Sequence, residues 1–313
     1  TNVFRKELLI NSSFPSQGGD ILLETISSNV TEDVITLEFQ CSDGTLVTQL
    51  IDFKNEVQII KALVLGEEER GQNQYQVLCF VNHFFKVDFI SSDAMSKLRQ
   101  KNPGTVRVAE EDKGHVNYTM DLFLDVSESK DISKHIATLC GEAAGSAYTR
   151  NEDMKQWIQR PGSSELSLMA AVYNFSTNSL TCADTSNMWA PCTCSLELCI
   201  GWYPCGLKFC KSKGDGKKAA TPYKCGIKTC KKCFIFSYYS KMKQNCIERY
   251  NLSFAHEQKL DTVHSECIFQ FFFVFVYICY FIKFFFTVLT FSVIKLAYQK
   301  YFLHNIQQQQ QHF

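Results

Sequence analysis

The sequence predicts an α+β protein with a cysteine-rich second half, and three observations predict it. Short segments in its first half alternate apolar and polar residues with the period of a strand. Two longer segments there carry helical spacing, and beyond residue 182 the cysteines crowd together. With 313 residues, 45% of them hydrophobic, and a formal net charge of zero, the protein can bury a sizeable core and is expected to fold as two domains.

Ile35, Leu37, Phe39 and Cys41 alternate with polar residues and run into Ser42-Asp43-Gly44, after which Leu46 to Ile51 is again apolar. That pattern is a hairpin. Further strands are expected at Val57 to Leu65, Gln74 to Asn82 and Asn117 to Val126. A first helix is expected from a Ser92 cap to a stop at Asn102-Pro103-Gly104, and a second from about Asp131 to Tyr148. In the second, Ile132, Ile136, Leu139, Cys140, Ala143 and Ala147 share one face, which turns Cys140 toward the core. Cys79, in the apolar strand Val77 to Val81, is a candidate partner for it, or else core filling.

After a polar stretch from about Arg160 to Ser179, cysteines stand at 182, 192, 194, 199, 205, 210, 225, 230, 233 and 246. Within them Tyr203-Pro204-Cys205-Gly206-Leu207-Lys208-Phe209-Cys210 returns as Tyr223-Lys224-Cys225-Gly226-Ile227-Lys228-Thr229-Cys230. Glycine after each first cysteine permits a tight bend, so a copy could close on itself or bond its neighbours. Zinc is the competing use of such cysteines, but only Cys230-Lys231-Lys232-Cys233 has the C-x2-C spacing of a zinc knuckle. Five sequons, at Asn11, Asn29, Asn117, Asn174 and Asn251, join the fifteen cysteines in pointing to an oxidising, secretory environment.

These segments resemble a known family. Asp52-Phe53-Lys54, Leu63-Val64-Leu65-Gly66-Glu67, Leu78-Cys79-Phe80-Val81, the run Ala94 to Pro103 and Ala109-Glu110-Glu111 are similar to the Out at first family of secreted proteins. So are Trp202-Tyr203-Pro204-Cys205 and Thr221 to Ile227 nearer the C-terminus. Asp52-Phe53, Cys79 and Leu139-Cys140-Gly141-Glu142 also have the outline of a BRICHOS domain. That resemblance implies an antiparallel sheet between two helices, a Cys79 to Cys140 bridge, Asp52 as the characteristic aspartate, and chaperone-like affinity for β-prone peptides. Such a bridge would stabilise the fold by about 4 kcal/mol. The family's cysteine pattern further implies that positions 182, 192, 194, 205, 210, 225, 230 and 246 are disulfide-bonded, with 105 pairings open. Cys41, Cys199, Cys233, Cys267 and Cys279 depart from that pattern.

The organisation expected is a BRICHOS-like domain over 1–160, a linker over 161–181 and a small disulfide-rich β and loop domain over 182–250. A spacer (251–267), an apolar segment (268–294) and a glutamine-rich tail (295–313) follow. The apolar segment is long enough to cross a bilayer, which would make this a type I membrane protein, although Lys283 near its middle would cost about 3 kcal/mol. Its phenylalanine, isoleucine, tyrosine and lysine repetition is also what translation of a non-coding AT-rich stretch produces.

From Cys205 to Cys246 there are eleven lysines and one acidic residue, a local formal charge of +10. Lys208, Lys211, Lys213, Lys217, Lys218, Lys224, Lys228, Lys231 and Lys232 are the candidate contacts for a sulfated glycan, against the alternative of a solvated face. Lysine without arginine disfavours base readout, so nucleic acid is not an expected partner. No G-x-S-x-G, H-E-x-x-H, phosphate-loop or dinucleotide motif is present, so neither an enzyme nor a cofactor is expected. The expected function is extracellular binding of a protein, peptide or receptor. A developmental ligand or modulator of a cell-surface receptor is the second expectation, and an intracellular zinc-binding regulator the third.

Overall fold

In the first strand, β1 (Val3–Ser12), Phe4, Lys6, Leu8 and Ile10 take one face by simple alternation, and Leu8 and Ile10 are buried. The computed structural model describes residues 3–12, 20–41, 43–68, 71–72, 75–98, 102, 104–175, 180–211 and 222–246. From β1 the polypeptide runs as an antiparallel meander through β2 (Asp20–Asn29), β3 (Val34–Gln40), β4 (Leu46–Asp52), β5 (Val57–Leu65) and β6 (Tyr75–His83). β7 (Val106–Arg107) extends it in parallel beyond β1. On the other side β10 (Ala147–Thr149) lies parallel to β6, followed by β9 (Leu122–Leu124) and β11 (Val172–Asn174), giving ten strands.

Local chemistry fixes the turns. Gly44 has φ +87°, a backbone conformation that L side chains rarely adopt, so glycine suits this turn. Asp43 beside it accepts from the Thr45 N–H and hydroxyl. Asn29 accepts from the N–H groups of Thr31 and Glu32 in the β2–β3 turn.

Each sheet face has its own cover. Val57, Ile59, Cys79 and Val81 face α2 (Lys134–Cys140), α3 (Asn151–Ile158) and α4 (Glu165–Ala170), with Trp157 and Ile136 buried among them. Ile35, Leu37, Ile51, Ile60 and Phe80 face a long hairpin of β12 (Cys192–Lys211) and β13 (Pro222–Ser240), with Met95 of α1 (Ser92–Ser96) in the same core. β8 (Glu111–Thr119) joins that hairpin, parallel to β13, as a second sheet of order β12-β13-β8. The fold is therefore α+β and mostly sheet.

Several elements differ from expectation. The strand expected over 117–126 divides at Met120-Asp121 into β8 and β9, which lie in different sheets. Asp121 spends its carboxylate on the start of α3, accepting from Asn151 N–H and Nδ2. The helix expected over 131–148 is α-helical only to Cys140 and continues as a single 3₁₀ turn over Gly141–Ala143. Gly145 takes φ +84°, and residues 147–149 are strand because β6 needs a parallel neighbour. α1 is capped by Ser91 and ends at Ser96, while Ser92 is buried and donates to Asp33. Residues 161–181, expected as a linker, contain α4 and β11. The segments 1–160 and 182–250 also share a core, and Thr1–Arg249 forms one compact unit. The segments over 251–267, 268–294 and 295–313 lie outside the described residues.

Glu24 is the exception in this core. It is 2% exposed, sits in register with Leu8 and Phe39, and its Oε1 has no protein partner. Burial raises its carboxyl well above the ordinary value of 4.5. A raised folded-state value means that protonated Glu24 contributes stability below the unfolded value, and that this contribution is lost as pH rises through the folded one. Glu24→Gln is therefore expected to raise the melting temperature near neutral pH, with the gain shrinking as pH falls toward about 4.5 and smallest below it. Scanning calorimetry at the two pH values measures it, and an equal gain at both contradicts the assignment.

Candidate functional site

The cysteines form a ladder along the hairpin. Cys199 bonds Cys233, Cys205 bonds Cys230 and Cys210 bonds Cys225, with Cα separations of 4.0, 5.7 and 5.7 Å. At its base Cys182 bonds Cys192 and Cys194 bonds Cys246. The two copies of the internal repeat face each other on opposite strands, so the first cysteine of each bonds the second of the other. Neither copy closes on itself. Cys230 and Cys233, the pair with zinc-knuckle spacing, enter different disulfides. Cys199 and Cys233, outside the family pattern, bond each other because the strand register sets them directly opposite. Cys79 and Cys140 join β6 to α2. Cys267 and Cys279 lie outside the described residues.

The lysines of this hairpin do not form a bare cationic face. Strand β8 and the residue before it bring Glu110, Glu111 and Asp112 alongside: Lys208 pairs with Glu110, Lys228 with Glu111, and Lys231 with Asp112 at 3.1 Å. Three carboxylates from a segment distant in sequence thus answer a charge that the window 205–246 shows as almost unopposed. Lys232 lies over the Phe234 ring at 5.1 Å. Lys211 and Lys224 flank the hairpin end, and Lys213, Lys217 and Lys218 lie outside the described residues.

Asp52 is 1% exposed. Its carboxylate accepts from Asn55 N–H at 3.0 Å, Asn55 Nδ2 at 2.7 Å and the Ser133 hydroxyl at 2.7 Å. Ser133 caps α2 in turn, accepting from His135 N–H. Asp52 therefore ties the β4–β5 turn to the helix that carries Cys140. Of the sequons, Asn29 belongs to the β2–β3 turn, and Asn117 and Asn174 are exposed on β8 and β11. Asn11 lies on β1, and Asn251 is outside the described residues.

A cleft of about 570 Å³ opens between the large sheet, α3 and the hairpin. Sequence patterns did not point to it, because its residues come from β4, β5, the loop after β6, β8, α3 and the hairpin. Gln49 and Gln58 form part of its floor, with Phe89 stacked on Tyr203 at 5.4 Å nearby. Arg150 lies 4.4 Å above the Tyr118 ring and clamps Asp153 through two 2.7 Å hydrogen bonds, while Asn82 donates to the same carboxylate. Burial raises the Tyr203 hydroxyl to about 12 and lowers Lys232 from the ordinary lysine value.

A disulfide-laddered hairpin clamped onto a helix-backed sheet, with a preformed cleft at their junction, defines a cross-linked α+β protein of rigid frame. A family model described as Out at first matches residues 6–157, and one described as Out at first, C-terminal matches 181–250. This protein belongs to the Out at first family. It is 55% identical over 255 residues to the Out at first protein of Drosophila virilis, an alignment that covers 79% of its own length and 83% of the relative's. It is also 55% identical over 251 residues to the Out at first protein of Drosophila melanogaster, here over 77% of its own length and 51% of the relative's. No solved structure matches it.

Replacing Asp52 by alanine leaves a buried turn and a helix cap without their shared acceptor, and is expected to cost about 2–4 kcal/mol of stability. Asp52→Asn keeps one acceptor oxygen and should cost less. Chemical denaturation measures both, and an Asp52→Ala loss below about 0.5 kcal/mol contradicts the assigned role.

Proposed function

We propose that this protein is a secreted glycoprotein that acts by binding another macromolecule outside the cell, and that it is not an enzyme. The observation that carries this reading is the set of six disulfides among the described residues, five of them holding the hairpin. Disulfides in such density persist in oxidising compartments. They leave the neighbouring sulfurs of Cys182, Cys194 and Cys246 bonded rather than available as metal ligands, which disfavours the zinc-regulator alternative. Arg150 and Asp153 in the cleft wall pair with each other, and His83 beside them contacts Glu56 at 3.3 Å; both contacts hold structural elements together, which suits binding better than acid–base chemistry.

A BRICHOS-like, peptide-binding role draws support from the Cys79–Cys140 tie between β6 and α2. At the β8 and β11 edges, addition of a client strand is less favoured than binding in the cleft. β8 and β11 are edge strands, and each carries an exposed sequon, at Asn117 and Asn174, where a glycan would shield the open backbone. For the alternative of a receptor ligand or sulfated-glycan binder, the pairing of Lys208, Lys228 and Lys231 with β8 weakens the electrostatic case. Membrane attachment through 268–294 concerns residues outside those described. Among the described residues no helix is long and apolar enough to cross a membrane.

The test is expression of the full-length protein through the secretory pathway. Protein recovered from the medium is expected to gain at least twelve alkylated cysteines only after reduction. Asn117→Gln and Asn174→Gln are each expected to remove one glycan's mass. Cysteines that react without reduction once metal is chelated would replace this reading with the zinc regulator.

A further inference from the structure

Three side-chain amides cross the hairpin-covered face of the sheet: Gln49 on β4, Gln58 on β5 and Asn82 on β6. Gln58 is in register with Asn82, and Gln49 lies diagonally across from Gln58, because Gln58 faces Ile51 and Gln49 faces Ile60. Asn82 donates to Asp153 deep in the core. Gln49 and Gln58 reach the cleft, yet they are only 3% and 7% exposed. Gln49 Oε1 has no hydrogen-bond donor from the protein, and Gln58 Nε2 has no acceptor. A buried polar atom without a partner costs about 1–3 kcal/mol, and apolar residues would fill both positions without that cost.

What the two glutamines lack is an N–H donor for one and a C=O acceptor for the other. A single secondary amide carries both. Peptide backbone and an N-acetyl sugar are the common sources, and the cleft mouth distinguishes them. Phe85 is 63% exposed there, and Val87 in the same turn is 84% exposed. Apolar groups of a peptide would cover that surface, whereas a sugar would leave it wet.

We propose that this cleft binds an extended peptide segment of a partner protein, with a backbone N–H donated to Gln49 Oε1, a backbone carbonyl accepting from Gln58 Nε2, and an apolar residue packed against Phe85. The inference rests on the binding role proposed above and names the site at which it acts. It also places recognition on the floor of a groove rather than at a sheet edge.

The experiment uses the full-length, disulfide-intact protein, a displayed library of random twelve-residue peptides, and an N-acetylglucosamine tetramer as contrasting probe. Peptides enriched on the unsubstituted protein are expected to bind Gln58→Leu and Gln49→Leu at least about tenfold more weakly. Thermal stability of these variants should be equal or higher, a combination that a purely structural role for the glutamines would not give. Phe85→Ser, at a position already exposed, should weaken the same peptides without lowering the melting temperature. Absence of any enriched peptide, undiminished binding to the leucine variants, or Gln58-dependent binding of the sugar tetramer alone would each overturn the proposal. None of those outcomes touches the disulfide and glycan masses on which the secreted reading is tested, so the two fail separately.

Discussion

The stack of Phe80 on Phe236 is the contact on which the rest of this structure depends. Phe80 lies at the centre of β6, Phe236 on β13, and their rings are parallel with centroids 4.1 Å apart. Tyr238 and Tyr148 close around Phe80, and the Tyr148 hydroxyl donates to Tyr239 O on the hairpin at 2.9 Å. Burial of one aromatic residue contributes on the order of 1.5–3 kcal/mol, so this cluster is worth more than any surface ion pair nearby. A two-stranded hairpin is marginal alone, and an apolar sheet face needs a cover. Each supplies what the other lacks, which is why segments matched by two separate family models share one core.

Satisfied and unsatisfied polar groups divide the interior by role. Asp52 meets three donors, and Asp153 is held by Arg150 and Asn82; both close contacts between elements distant in sequence. Gln49 and Gln58 are equally buried but lack such closure, and they lie where the hairpin departs from the sheet to leave the cleft. Glu24 is buried without closure among apolar neighbours, and its burial couples stability to pH instead.

Much of the frame was legible in the sequence because it follows from local chemistry. The β3–β4 hairpin is written in the alternation around Asp43-Gly44, and Cys140 faces inward because helical spacing places it there. What could not be read depends on contacts between distant segments. Gly145, at φ +84°, turned the backbone away from the helix to Tyr148 that the apolar spacing suggested, and β10 formed because β6 needed a partner. The +10 window over 205–246 omitted Glu110, Glu111 and Asp112, since only the parallel pairing of β8 with β13 brings them near. Cys199 and Cys233 became a pair through register alone. The cleft had no motif, because seven separate stretches of sequence build it.

The central claim is that sheet and hairpin are one cooperative unit held by the Phe80–Phe236 seam, and calorimetry of Phe236→Ala with all disulfides intact tests it most directly. A single unfolding transition is predicted for the unsubstituted protein over residues 6–250, shifted down as a whole in the variant by about 3–5 kcal/mol. Two transitions, with only the hairpin's lowered by the substitution while the sheet melts unchanged, would show that the two segments fold independently and would contradict the account.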